Sequence, residues 1–174
     1  MTSTSSKSEQ LTGRVLDEMH AYAHGHERPL GSFLIIMGGY GTTVTAMAAF
    51  LAATGRRLPD RLSWSDLALL AVATHKASRQ LAKDPVTSPL RAPFTRYSST
   101  SAEAELEEQV RGGGMRKALG ELVSCPFCLG QWVATAGVFG MITAPRGTRA
   151  IASVFAVLAA SDMLQYAYAK LQQT

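Results

Sequence analysis

The chain has 174 residues, 17 Lys and Arg against 13 Asp and Glu, a formal net charge of +4 and 47% hydrophobic residues. This length fits one soluble domain or a bundle of a few membrane helices, and two cysteines are too few for a disulfide-built exported scaffold. Mean hydropathy is only +0.06 and the pI is near 9.3, but the charges are segregated: long stretches hold none, and the connections hold nearly all. Segregation of this kind points to membrane helices joined by polar loops, with basic residues retained on the cytoplasmic side and no nucleic acid as partner.

Residues 1–28 read as a polar tail with a short helix expected over 11–23. His20 and His24 lie four apart, with His26 and Glu27 following, a spacing that can place two imidazoles on one metal. A solvated polar face explains them more simply, so no metal is expected. A polar and charged stretch reaching Arg28 comes before the first apolar run, so no cleavable signal is expected and the first apolar helix should serve as an uncleaved anchor.

Residues 29–174 read as a membrane helical domain. Its first segment, 30–55, carries no charge and is bounded by Pro29 and by Arg56 and Arg57. Gly38 with Thr42, and Gly41 with Thr45, have the spacing that lets a neighbouring helix approach closely. The second segment, 62–84, has an apolar first half and a basic second half. Ser63 or Ser65 can cap it with Asp66 in the first turn, and His75, Lys76, Arg79 and Lys83 gather toward its other end, where the helix dipole favours cations. It is the weakest of the spans, with a helix dipping in and lying along the interface as the alternative.

A polar loop follows over 85–114. Its first part, PVTSPLRAPF, holds three prolines that oppose regular helix, and its second, SAEAELEEQVRGGG, reads as a short exposed acidic helix stopped by glycines. Residues 115–124 pattern as an interfacial amphipathic helix. A third uncharged segment covers 125–144, with Gly130, Ala134, Gly137 and Gly140 available for close packing and Trp132 near the entry boundary. The fourth, 150–169, has small residues at Ala152, Ala156 and Ala159, and contains Asp162. The expected fold is therefore all-α: a multi-pass transmembrane helical bundle of about four apolar helices plus a short interfacial amphipathic helix.

With four crossings, twelve basic residues fall with the tail, the middle loop and the C-terminus, against Arg56, Arg57, Arg61, Arg146 and Arg149 on the other side. This bias places both termini in the cytoplasm. If the second segment does not cross, everything after it inverts.

Several residues could carry chemistry. Cys125-Pro126-Phe127-Cys128 has the form of a helix start, where exposed N–H groups favour a thiolate. The pair can be structural, redox-active or half of a metal site; a zinc site needs about four ligands, and no second cysteine pair is present. Asp162, an acid within an apolar segment, is costly unless paired or wet, and Lys76 or Arg79 of the second segment is its expected partner. His75 and Arg79 share a helix face. Arg91 and Arg96 lie on a chain stiffened by Pro85, Pro89 and Pro93, which could present them to an acidic partner or a lipid headgroup.

The runs THKASRQLAKDPVTSPLRAPFTRY, Thr74 to Tyr97, and GELVSCPFCLGQWVA, Gly120 to Ala134, resemble the bacterial membrane-protein family known as domain of unknown function 1360, some of whose members carry a sporulation-protein label. The resemblance extends from the first apolar helix almost to Lys170. It implies a multi-pass protein of the bacterial plasma membrane and supplies no substrate and no activity. The function expected first is non-enzymatic: a membrane interaction or scaffold protein that uses the basic, proline-rich cytoplasmic loop, with anionic headgroups or another membrane protein as partner and no cofactor. A membrane thiol oxidoreductase with Cys125 attacking and Cys128 resolving is the second reading. A small transporter, with Asp162 and the glycines near Tyr40 lining one cavity, is the third. Self-association stays open.

Overall fold

A computed structural model describes residues 12–172 apart from 16, 20, 25–27 and 103. The order of elements is α1 (Leu30–Ala53), α2 (Trp64–Lys83), a 3-10 turn (Pro85–Thr87), α3 (Ser88–Arg91), β1 (Thr95–Ala102), β2 (Glu105–Val110), α4 (Gly114–Ser124), α5 (Pro126–Thr143) and α6 (Pro145–Gln172). Backbone at 12–15, 17–19 and 21–23 is helical, as expected for the tail; His20, His26 and Glu27 lie outside the described residues.

Three helices, α1, α5 and α6, are long and apolar enough to cross a membrane. Their surface is inverted relative to a soluble bundle. Leu34, Ile35, Met37 and Phe50 on α1, and Ile151, Val154, Val157, Met163 and Leu164 on α6, are all at least 50% exposed. Each of these side chains in water would forgo roughly 1–2 kcal/mol of burial, so the arrangement calls for an apolar solvent. The buried core is small and alanine-rich: Leu70, Ala73, Met141 and Ala152, with Leu62, Leu69 and Phe155 against them.

Paired contacts give the helix directions. Leu70 of α2 meets Gly137 of α5, and Thr74 and Ser78 meet Gly130, so α2 and α5 run antiparallel. Asp66 pairs with Arg149, and Lys76 with Asp162, so α2 and α6 run parallel. Tyr40 packs edge-on against Trp132 at 5.1 Å and Phe50 against Phe139 at 5.9 Å, so α1 and α5 run parallel. The tail, the hairpin and the C-terminus therefore share one end of the bundle. The α1–α2 and α5–α6 connections share the other, where Arg56 Nη1 donates to the Thr143 carbonyl at 2.6 Å.

Local chemistry explains most boundaries. α1 ends at a left-handed glycine, Gly55 (φ +64). Its N–H and that of Arg56 reach back to the Ala52 and Leu51 carbonyls at 3.2 and 3.0 Å, the glycine-terminated cap that satisfies free carbonyls. Ser63 caps α2 by accepting the Asp66 N–H at 3.1 Å.

Five expectations are corrected. The chain is not all-α: 95–110 form a two-stranded antiparallel hairpin, with Thr95 opposite Val110 and Arg96 opposite Gln109. The acidic stretch expected as a helix is β2, in which Glu105, Leu106, Glu108 and Val110 are partly buried while Glu107 and Gln109 face outward. That period-2 pattern is stabilised by acceptors and cations lying elsewhere in the chain, which local reading cannot supply. The proline segment expected to resist regular helix forms the 3-10 turn and α3, because Pro85 and Pro89 sit at first-turn positions that need no N–H, while Pro93 lies in the turn after α3. α6 begins at Pro145 instead of 150, for the same reason. Finally, nothing lies within 4 Å of a Cβ built on Gly38, Gly39 or Gly41, and Thr42, Thr43 and Thr45 return their hydroxyls to their own helix. Among the described residues, the closest packing at glycine uses Gly120 of α4 and Gly137 and Gly140 of α5 instead.

Candidate functional site

Helix α2 organises the site. Its four formal charges are Asp66, Lys76, Arg79 and Lys83, and each has a partner. Arg149 grips Asp66 with two parallel bonds, Nε to Oδ1 at 2.7 Å and Nη2 to Oδ2 at 2.8 Å. Lys76 Nζ donates to Asp162 Oδ2 at 2.5 Å. Arg79 Nε donates to Glu105 Oε1 at 3.0 Å, and its Nη2 bonds the same oxygen. Lys83 Nζ lies 3.4 Å from Glu107 Oε2. Asp66 and Arg149 meet at the loop level of the bundle. There Ser63 caps the same turn, so the carboxylate, the cap and the guanidinium together close the start of α2.

Ten residues of helix rise separate Asp66 from Lys76, so the Lys76–Asp162 pair lies about 15 Å further along the bundle. An acid on a helix as apolar as α6 needs such a partner. An isolated charge at the centre of an apolar span costs roughly 2.5–3.5 kcal/mol, and two opposed charges in contact remove most of that cost. Of the two partners expected for Asp162, Lys76 takes it; Arg79 is occupied by the hairpin.

The hairpin is clamped onto the end of α2 by three carboxylates. Beside the Arg79–Glu105 and Lys83–Glu107 contacts, Arg91 Nε donates to Glu108 Oε2 at 2.6 Å. Arg91 was expected to face an external partner, and it does not: its side chain is 1% exposed and that of Glu108 is 6% exposed. Its Nη1 donates to the Leu81 carbonyl at 2.8 Å and to Thr87 Oγ1 at 2.7 Å, and its Nη2 to the Asp84 carbonyl at 3.1 Å. Thr87 in turn donates to the Gln80 carbonyl at 2.6 Å. Arg91 thus satisfies carbonyls at the end of α2 and a buried carboxylate together, a task that suits its planar fork of donors. Gly120 of α4 completes the clamp. A Cβ there would lie 2.6 Å from Val110 Cγ1 and 3.0 Å from the Phe94 carbonyl, so only glycine lets α4 approach.

Other predicted residues remain accessible. His75 is exposed on α2, and Arg96 is exposed on β1. Residues 96–101 of β1 are all exposed, and Tyr97 is 65% exposed. Cys125 caps α5: its Sγ accepts the Cys128 N–H at 3.3 Å and lies 2.8 Å from Cys128 Sγ. Both cysteines are free. Among the described residues, no group of three or more His, Cys, Asp or Glu is placed to hold a metal ion. The transporter reading placed Asp162 and the glycines near Tyr40 along one cavity. Asp162 engages α2, whereas the Tyr40 hydroxyl bonds Thr135 of α5 at 2.7 Å.

Sequence reading missed the counter-ions Glu105, Glu107, Glu108 and Arg149. A usable signal was present: a run of carboxylates, Glu103, Glu105, Glu107 and Glu108, follows a basic helix end within the same polar loop.

Together these features define a mostly helical protein with three membrane-compatible helices, a charge-neutralised central helix and a clamped hairpin at one end. Residues 69–168 match the family described as "Protein of unknown function (DUF1360)", and the chain belongs to that family. The match contains every motif that suggested the resemblance, whereas α1 lies before it. The sporulation protein YjcA of Bacillus subtilis (strain 168) is similar, 26% identical over 110 residues that make up 62% of this chain and 93% of that protein. No solved structure matches.

Proposed function

We propose that the protein is a four-crossing integral membrane protein of the bacterial plasma membrane, both termini cytoplasmic, that acts without catalysis as an interaction scaffold and presents the clamped hairpin to a protein partner. The observation that carries this reading is the pairing of every charge on α2. It removes the obstacle to an α2 crossing, since 20 residues give about 30 Å of helix, the thickness of the hydrocarbon layer. The same ion pairs hold β1 and β2 rigidly at the bundle end. A two-stranded hairpin alone is marginal in water, so fastening one by three carboxylates has a use only if its shape matters.

The contact surface is the outer strand β1, where Arg96 and Tyr97 stand exposed, and not the buried Arg91 of the proline segment. Tyrosine and arginine are the side chains that most often anchor interfaces. We take sporulation as the setting, supported by the name of the similar Bacillus protein.

A photo-crosslinking amino acid at Tyr97, compared with one at the lipid-facing Val154, tests this reading in living cells. A discrete protein adduct from position 97, absent from position 154, is expected. Adducts to lipid alone, or none along 96–101, would remove the scaffold reading. Sidedness is tested on a background lacking Cys125 and Cys128. Arg57→Cys should react with an impermeant maleimide on intact cells, and Ser99→Cys only after permeabilisation.

A further inference from the structure

A second set of groups at the hairpin end of the bundle is not used by the scaffold reading. The chain's two cysteines, Cys125 and Cys128, meet at the α4–α5 junction with their sulfurs 2.8 Å apart. The hydrogen-bond direction separates their roles. Cys128 Sγ donates to Cys125 Sγ, and Cys125 Sγ also accepts the Cys128 N–H, so Cys125 is the sulfur that both donors face and the one placed to attack. Pro126 holds the first turn of α5, and Phe127 beside the pair is 90% exposed.

We propose that Cys125 and Cys128 form a thiol–disulfide exchange site whose substrate is a small, unhindered organic disulfide. Cys125 is partly covered and Cys128 exposed, so a small disulfide can reach the attacking sulfur at the open end of the helix. The Cys125 thiolate attacks one sulfur of the substrate, forms a mixed disulfide and expels the first thiolate, which takes up a proton. Cys128 then loses its proton and attacks Cys125 Sγ, closing the Cys125–Cys128 bond and expelling the second thiolate, which takes that proton. Two protein thiols are oxidised, one substrate disulfide is reduced to two thiols, and no further oxidant is needed. The bond would close a ring of four residues, which restricts the unfolded chain very little. It is therefore suited to reversible exchange and not to stapling the fold.

The test uses the full chain in detergent micelles, equilibrated with glutathione buffers of stepped reduced-to-oxidised ratio, quenched in acid, alkylated and weighed intact. The wild-type protein needs no substitution for the main result. Both thiols should disappear together in one two-electron transition, without a population carrying two glutathione adducts. Cys128→Ser should stop at a glutathione adduct on Cys125. At pH 7, Cys125 in that variant should alkylate about tenfold faster than Cys128 in Cys125→Ser. Matching elution of each variant with the wild type confirms that both fold. The proposal is overturned if oxidised glutathione alone never closes the bond, if the thiols take up two independent adducts, or if Cys128 is the faster of the two.

Discussion

Replacing Arg91 by alanine should be the most damaging single change outside the apolar helices. The substitution leaves the Glu108 carboxylate, 6% exposed, without its cation. It also strips donors from the Leu81 and Asp84 carbonyls and from Thr87 Oγ1. Adding the four lost bonds separately, at about 1.5–3 kcal/mol each for charged hydrogen bonds, overstates the effect, because water enters and the loop relaxes. The magnitude for removing one member of a buried ion pair, about 3–5 kcal/mol, is the better guide. Glu108→Gln should cost less, about 1–2 kcal/mol, since Arg91 keeps its other three acceptors and a neutral amide can still accept from Nε. In the double variant Arg91→Met/Glu108→Leu no buried charge remains, so it should be more stable than the sum of Arg91→Met and Glu108→Leu alone, with a coupling energy of at least about 1.5 kcal/mol. Urea unfolding in mixed micelles, read by amide hydrogen exchange over 95–110, measures each of these variants. If Arg91→Ala stays within about 0.5 kcal/mol of wild type, or the two sites are additive, the clamp does not hold the hairpin in the way described here.

Three further outcomes follow from the same contacts. Lys76→Met and Asp162→Asn should couple by about 1–2 kcal/mol in a thermal-stability cycle, whereas Arg79→Gln and Asp162→Asn should add independently, because Arg79 belongs to Glu105. Gly137→Val, whose Cβ would stand 2.9 Å from Leu70 Cδ2, should lower stability by about 1–3 kcal/mol, while Gly39→Ala, with nothing within 4 Å, should be neutral or slightly stabilising. Arg149→Gln should lower the melting temperature, because Asp66 loses two charge-assisted bonds, and Asp66→Asn in the same background should recover part of the loss; equal melting of Arg149→Gln and wild type would detach the pair from stability.

Much of this architecture is legible in the primary structure. Uncharged runs of helical length mark α1 and α5, and an apolar run broken only by Asp162 marks most of α6, because hydropathy over 18 or more residues depends on composition alone. Ser63 with Asp66, and Cys125 with Pro126, mark helix starts because a cap is made by neighbours in the chain. The candidate partners of Asp162 could be narrowed to Lys76 and Arg79 for a similar reason: the cost of an acid in an apolar segment names the kind of group it needs. What local reading could not decide was which of the two would reach it. Nor could it decide whether ELEEQV is helix or strand, whether Arg91 faces outward, or which glycines touch a neighbour. Those outcomes depend on groups far apart in sequence: Glu108 stands 17 residues from Arg91, and Asp162 stands 86 residues from Lys76. A charge settles where its opposite is brought within contact distance, and only the packing of α2 against its neighbours sets that distance.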